Sequence, residues 1–391
     1  MADAGEQISA DEIALYDRQI RLWGMQAQKR IGSANILLIT MKSLANEVAK
    51  NLVLAGIGSL TIIDHEPITA DDLQTQFFLE AATQDPDIVN QGKMKRAEVA
   101  GPQVRNMNPR VKLNIDTSDI RTKEPDYYAQ FSVVIATELD YNTTSAINAA
   151  CRMAERPFYA AGLHGLYGYV FADLISHEFV IERNKSNVPA QTQETSTRTV
   201  TNITTKKEGD KVIELVTKRE TYTPLLLANA SPLPEEYTRV LRKRKQVTPL
   251  LSCLRALWEF EKASARRPTF NHADLELFTR LASDSHQELK LDSSTLDSVF
   301  LRNFLQNLGN ELPPVAAFLG GALAQDVINV LSAREQPIQN LLLFDADKSV
   351  GPIYPLHPFF DEIPGLAAVP PVANPIPIHP ASATAVPETT L

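Results

Sequence analysis

The residues that could do chemistry gather in the first quarter of the chain. The stretch "ILLITMKSLANEVAKNLVLAGIGSLTIIDHE", residues 36–66, has the outline of a nucleotide-binding βαβ start. An apolar run leads to a turn, then to an amphipathic helix ending near Gly56, then to a second apolar run closing on Asp64. In such a fold the turn carries glycines, because backbone N–H groups must approach phosphate oxygens at the start of the helix. Here the turn reads Thr40-Met41-Lys42-Ser43-Leu44-Ala45, and side chains at Thr40, Met41, Ser43 and Ala45 fill the space that phosphate would need. Lys42 has the charge to hold a phosphate, but a single lysine in a tight turn is ordinarily solvated. The turn therefore reads as a plain strand–helix connection. Asp64 stands where Rossmann-type folds hold a ribose hydroxyl, although acids also commonly end strands.

A second place is "YDRQIRLWG", residues 16–24, with Arg18 and Arg21 on either side of Ile20. A guanidinium can grip phosphate oxygens in pairs. A solvated helix with one packed face explains the same residues, and residue types alone do not choose. Cys151 and Cys253 lie in helical sequence with no evident basic environment to lower their pKa, so they read as small buried thiols rather than nucleophiles. The seven histidines form no zinc-type spacing, and no metal site is expected. The basic run "RVLRKRKQ", 239–246, fits a nuclear-localisation signal or the basic end of a solvated helix equally well.

These residues need a frame, and periodicity supplies one. Helix is expected over 11–31, 43–55, 95–107 and 142–155, with strands at 35–39, 59–64, 111–115, 132–137, 158–161 and 168–174. Ser43 suits a helix N-cap and Gly56 the position after a C-terminus. The alternation implies a mainly parallel, doubly wound α/β sheet. Residues 183–221 are rich in Thr, Lys, Gln and Asn and read as a mobile insertion, with one imperfect strand at 212–216. Residues 233–306 read as helical, 313–333 as an apolar helix and 340–344 as a strand. From His357 the chain is rich in Pro, Ala and Val and reads as disordered.

Composition removes several classes. The net charge of −9 and pI of about 5.4 argue against a general nucleic-acid binder. Two cysteines give no disulfide framework and suit a reducing compartment. The polar, acidic N-terminus does not read as a signal peptide, and no apolar run is expected to approach membrane-spanning length.

Two runs carry a resemblance. "YDRQIRLWGMQAQKRIGSANILLI" followed by "NEVAKNLVLAGIGSLTIIDHEPIT" resembles the ubiquitin-like-protein activating enzymes, nearest to the small regulatory (Aos-type) subunits of the heterodimers that activate SUMO. "ALWEFEKASARRPTF" and "PPVAAFLGGALAQDVINVLSAREQPIQNLLLFD" match the same subunits. The likeness is strong over 12–180 and looser over 248–356. It implies a Rossmann-like (ThiF-type) adenylation fold with a helical insertion, in which the ATP site has decayed. The glycine turn of active members falls on Thr40, Lys42, Ser43 and Ala45; Thr75 stands where they carry an ATP-contacting arginine. Asp140 lies near their Mg²⁺ aspartate, but no arginine follows before Arg152.

The resemblance further implies a division into 1–180 and 307–356 as the two parts of a pseudo-adenylation domain. Residues 181–306 would be an insertion holding a shortened half of the cysteine domain, and 357–391 a tail. Arg18 would reach in trans to ATP in a catalytic partner subunit, while Arg21 pairs with a local acid. The chain itself would bind no cofactor, ATP and Mg²⁺ residing in the partner. It would be a subunit of a ligase-class activating enzyme, without a complete ATP site or catalytic cysteine of its own. SUMO and the conjugating enzyme would be met through the complex, in the nucleus and also the cytoplasm, with no nucleic-acid or membrane partner. Three alternatives stand beside this: a regulatory subunit for the Nedd-type modifier, a nucleotide-dependent oxidoreductase with a degenerate turn, and a scaffold without enzymatic association.

Overall fold

The computed structural model describes residues 9–84, 94–185, 192–209 and 211–358. The chain opens with three short helices, α1 (Ala10–Leu15), α2 (Asp17–Trp23) and α3 (Met25–Ser33). The expected single helix is thus broken twice, at Tyr16 and at Gly24, whose φ of 88° only glycine adopts without strain. Strand β1 (Asn35–Ile39), helix α4 (Ser43–Ala55) and strand β2 (Ser59–Ile63) follow as the pattern requires. Gly56 closes α4 in the left-handed conformation. Ser43 is not the cap, however. Lys42 holds the N-cap position and makes no capping bond, and the Ser43 hydroxyl is buried without a partner.

Beyond β2 come α5 (Ala70–Thr75), α6 (Arg96–Met107), β3 (Lys112–Asp116), β4 (Val133–Thr137), α7 (Tyr141–Met153), β5 (Phe158–His164) and β6 (Tyr167–Asp173). Late in the chain α14 (Pro313–Ser332), β10 (Leu341–Asp345) and β11 (Ile353–Tyr354) complete the sheet. Its order is β11-β10-β6-β5-β4-β1-β2-β3. The five strands from β5 to β3 run parallel, and β6, β10 and β11 are antiparallel. The chain winds outward on both sides of β1, so the crevice between β1 and β4 is the topological switch point at which such sheets bind ligands.

Both faces of the sheet are covered, which explains the unbroken apolar strands. Ile36 and Leu38 of β1 point into one core with α3, α4, α6 and α14; Leu37 and Ile39 point into the other with α7. That second core is closed by the helices of the expected insertion. They are α8 (Leu225–Ala230), α9 (Glu235–Arg239), α10 (Leu241–Lys245), α11 (Leu250–Ser264), α12 (His272–Glu288) and α13 (Ser298–Gln306). Leu225, Leu251, Leu254, Phe278 and Phe304 from these helices share one cluster with strand residues Leu37, Val134 and Phe171. The helices are therefore a layer of the fold.

Two expectations are corrected here. Within 183–221, the segment read as mobile forms long strands. β7 (Ser176–Asn184), β8 (Arg198–Glu208) and β9 (Lys211–Thr221) make an antiparallel sheet in the order β7-β9-β8. Threonine and valine are β-branched and favour extended backbone, so a polar composition here conceals strand propensity. Buried Phe179 and Val216, and the Arg198–Glu220 ion pair, hold this sheet in place. Residues 186–191 and 210 of that segment lie outside the described residues.

The second correction concerns α14, which is 20 residues long with mean hydropathy 1.5 and by length and composition alone could cross a membrane. Packing accounts for its apolarity, since 61% of it is buried, against α4, α3 and β6. Of the expected tail, His357 and Pro358 are held, with the Thr223 hydroxyl 2.6 Å from His357 Nδ1. Residues 359–391 lie outside the described residues.

Helices α4 and α14 cross closely because Gly320 has no side chain. A Cβ there would sit 2.5 Å from Glu47 Cβ and 3.2 Å from the Leu44 carbonyl oxygen, whereas one at Gly321 would meet nothing. Gly320→Val is expected to lower stability by about 1–3 kcal/mol through overpacking. Gly321→Ala should be neutral or slightly stabilising. Thermal unfolding followed by circular dichroism compares the two.

Candidate functional site

The switch point opens a cleft of about 300 Å³ at the carboxyl ends of β1, β2 and β4. Thr40, directly after β1, has φ 69°, and its carbonyl accepts from the Thr137 hydroxyl at 2.9 Å. Met41 is fully buried and, with Leu44 and Ala45, joins the core on the α4 face. The apolar side chains of the turn thus belong to the core and do not line the cleft.

Asp64 ends β2 with its carboxylate buried, and each of its oxygens is engaged twice. Oδ2 accepts from Met41 N–H at 2.8 Å and from Arg96 Nε at 2.7 Å. Oδ1 accepts from Glu66 N–H at 3.0 Å and from the Arg96 guanidinium at 3.1 Å. A carboxylate offers about four acceptor positions, so none remains for a ribose hydroxyl. Arg96 is equally buried and lies 3.5 Å from Asp72, the residue paired with Thr69 in the box that caps α5. Burial alone would lower the Arg96 pKa, but bonds and charges from Asp64 and Asp72 outweigh it and leave the guanidinium raised.

At the start of α4 an acid from far along the chain intrudes. Glu311, in the loop between α13 and α14, accepts from Ser43 N–H at 3.3 Å and from the Thr75 hydroxyl at 3.1 Å. Lys42 Nζ lies 3.6 Å from its other oxygen, and the Glu311 side chain is only 6% exposed. Glu138, at φ 58° after β4, accepts from Leu163 N–H at 2.7 Å. Its pKa is pushed up to about 7 by burial first and by the Glu311 charge second. Asp140 is committed as the cap of α7, accepting from the Thr143 backbone at 3.0 Å and its hydroxyl at 2.7 Å. Arg152 is turned elsewhere, to Asp173 at 2.6 Å.

The cleft is lined by five carboxylates (Asp64, Glu66, Asp119, Glu138 and Asp140) and by Lys42, Arg96, Arg121 and His65. Arg96 is held by Asp64, and Arg121 by Asp119 at 3.0 Å. The balance opposes a polyphosphate. Among the described residues, no group of three or more His, Cys, Asp or Glu could hold a metal ion.

The structure thus gathers Thr40, Lys42, Ser43, Ala45 and Asp64 into one place, and adds Arg96, Glu138 and Glu311, which sequence reasoning missed. Arg18 lies elsewhere, on α2, exposed and without a partner among the described residues. Arg21 pairs with Asp17 at 2.9 Å. Leu15, just before the break at Tyr16, and Leu22 are 58% and 73% exposed, and Leu22 stands four residues from Arg18 on the same side of α2. Cys151 and Cys253 are buried, and burial drives both thiols up, away from nucleophilic character. The basic run 239–246 forms α10 and its flanks, with Lys243 on Glu236 at 2.6 Å and Arg239 on Glu235 at 2.9 Å.

Comparison with known proteins agrees with this frame. A model of the ThiF family matches residues 16–357. The chain is 36% identical to the DNA damage tolerance protein RHC31 of Saccharomyces cerevisiae, over 87% of this chain and 95% of that protein. It is 35% identical to the DNA damage tolerance protein rad31 of Schizosaccharomyces pombe, over 89% and 98%. It is 32% identical to SUMO-activating enzyme subunit 1 of Homo sapiens, over 91% and 98%.

Two outcomes are expected at the cleft. Arg96→Met leaves Asp64 buried without its cation and should cost about 3–5 kcal/mol in urea unfolding. Adding Asp64→Asn should recover part of that loss, because a neutral amide leaves no buried charge to be matched, although its single oxygen can accept only one of the two backbone N–H groups. The raised Glu138 pKa means that its stabilising contribution is complete below the ordinary carboxyl value of 4.5 and is lost as pH rises through about 7. Glu138→Gln should therefore gain stability relative to the parent between about pH 5 and about pH 8. His164, driven down to about 3 by burial, acts with the opposite sign in both proteins and cancels in the comparison.

Proposed function

The chain belongs to the ThiF family, and from that premise we propose that it is the regulatory subunit of a heterodimeric SUMO-activating enzyme. One contrast carries the reading. At the switch point the turn carries buried Met41, Glu311 meets the start of α4 and Asp64 is saturated, while Arg18 stands exposed and, among the described residues, without a partner, near exposed Leu15 and Leu22. A fold that held its own ATP would need the first arrangement undone. A fold that serves a neighbour's ATP needs the second.

In this reading the chain binds no nucleotide or Mg²⁺, which reside in the catalytic partner. There ATP and the C-terminal glycine carboxylate of SUMO form an acyl-adenylate and release pyrophosphate. A partner cysteine then takes the acyl group as a thioester, releasing AMP, and passes it to the conjugating enzyme. Arg18 supplies a guanidinium to the partner's phosphates as charge develops during adenylation. Leu15 and Leu22 provide the apolar contact that seats it. Cys151 and Cys253 take no part, being buried.

The relatives named for SUMO favour that modifier over the Nedd-type one. The saturated Asp64 and filled turn weigh against a dinucleotide-dependent oxidoreductase. Residence in the nucleus, with a cytoplasmic pool, belongs to the same proposal and draws on the exposed Arg242, Lys243 and Lys245.

SUMO-driven exchange between ATP and pyrophosphate tests the reading. The chain alone should be silent and the chain with its catalytic partner active. Arg18→Ala in the complex should lose about 10²-fold, the scale of removing one transition-state donor. Exchange by the chain alone would overturn the ATP-inactive reading. Unchanged exchange with Arg18→Ala would leave a scaffold.

A further inference from the structure

Helix α4 begins with backbone N–H groups that have no partner within the helix and with its dipole positive end turned to the switch point, the place where this kind of fold seats phosphate. Its own N-cap, Lys42, makes no capping bond. What meets that end instead is Glu311, more than nine-tenths buried, with one oxygen on Ser43 N–H and the Thr75 hydroxyl. The other oxygen, Oε1, faces Lys42 at 3.6 Å and has no hydrogen bond. The Ser43 hydroxyl beside it is also buried and unpartnered. A buried carboxylate with Glu138 also nearby is electrostatically costly, as the upward shift of Glu138 records. Ordinary helix capping does not call for such an arrangement, because a Ser, Thr or Asp at position 42 would cap α4 locally.

We propose that Glu311 is a built-in anion that occupies the phosphate place at the start of α4, so that the pseudo-site is held shut from within in a ligand-filled arrangement. Its surroundings are those a phosphate would use: two donors, a backbone N–H at the helix start and a hydroxyl from α5, and the charge of a lysine ammonium. Glu311 belongs to the loop that joins the helical layer to α14, where Gly165 N–H donates to Asn310 O at 2.8 Å and Gly309 N–H to His164 Nδ1 at 3.2 Å. The carboxylate therefore fastens that loop to the sheet's switch point as a bound nucleotide would. The inference rests on reading the α4 N-terminus as a former phosphate place, and it concerns this chain by itself.

The latent site should open when the carboxylate is neutralised. Thermal unfolding of the full chain is measured with pyrophosphate as the probe, at fixed ionic strength, for the parent, Glu311→Gln, Glu311→Ala and Glu311→Ala with Lys42→Met. The parent should show no saturable shift. Both Glu311 variants should unfold at lower temperature and recover by several degrees as pyrophosphate saturates, and Lys42→Met should abolish the recovery. Glu311→Gln keeps the side-chain shape and supports the test if the alanine variant folds poorly. An equal shift in the parent, or a folded Glu311→Gln that gains nothing from pyrophosphate, would overturn the proposal. Neither partner nor SUMO enters this measurement, so its failure is separate from failure of the exchange assay.

Discussion

One carboxylate, that of Asp64, joins four elements at the centre of the molecule. It fixes the turn after β1 through Met41, the turn after β2 through Glu66, and the start of α6 through Arg96, which in turn faces the cap of α5 at Asp72. Such a buried group is tolerable only because every acceptor position is used. The rest of the cleft follows from that saturation. With Asp64 committed inward, its carboxylate has no acceptor position left for a sugar hydroxyl, and the turn above it carries Met41 into the core. Asp64 thus acts as a brace, and the apolar residues of the turn act as core.

The same economy runs along α4. Its start is met by Glu311, and its last carbonyls by side chains from outside the helix. Asn108 donates to Val53 O at 2.9 Å, Gln19 to Leu54 O at 3.2 Å and Gln28 to Ala55 O at 3.2 Å. One orphan N–H at the start and three orphan carbonyls at the end are thus met by residues distant in sequence. The helix connects the cleft at one end to the N-terminal helices at the other.

Much of this frame was legible from local pattern. The apolar runs at 35–39 and 59–63 and the amphipathic 43–55 with Gly56 formed the elements expected, because local preference and burial agree there. The glycine-free turn at 40–45 was legible as well, since it is a matter of residue type. The closing groups were not. Arg96 is 32 residues from Asp64, and Glu311 is 268 from Ser43, and no spacing rule links such pairs. The strands β8 and β9 were missed for a different reason: threonine counted as polar when its branching at Cβ was the stronger signal. Ser43 was misread as a cap because the true cap position carries a lysine, whose end is filled by tertiary contact.

The mounting of α2 has a consequence for association. Tyr16, at its head, is buried and accepts from Asn108 at 2.9 Å; Gln19 is tied to α4; Trp23, at its foot, donates to Gln28 at 3.0 Å. Its backbone is therefore ordered before any encounter, and only the outward side chains keep their rotamer freedom. Ordering a loose arm at the moment of docking would subtract from affinity, whereas a preorganised one leaves that free energy to the contact itself. A surface helix bolted at head, middle and foot also presents its outward residues at one fixed angle. Its recognition should resemble the meeting of rigid bodies more than the folding of a tail onto a partner.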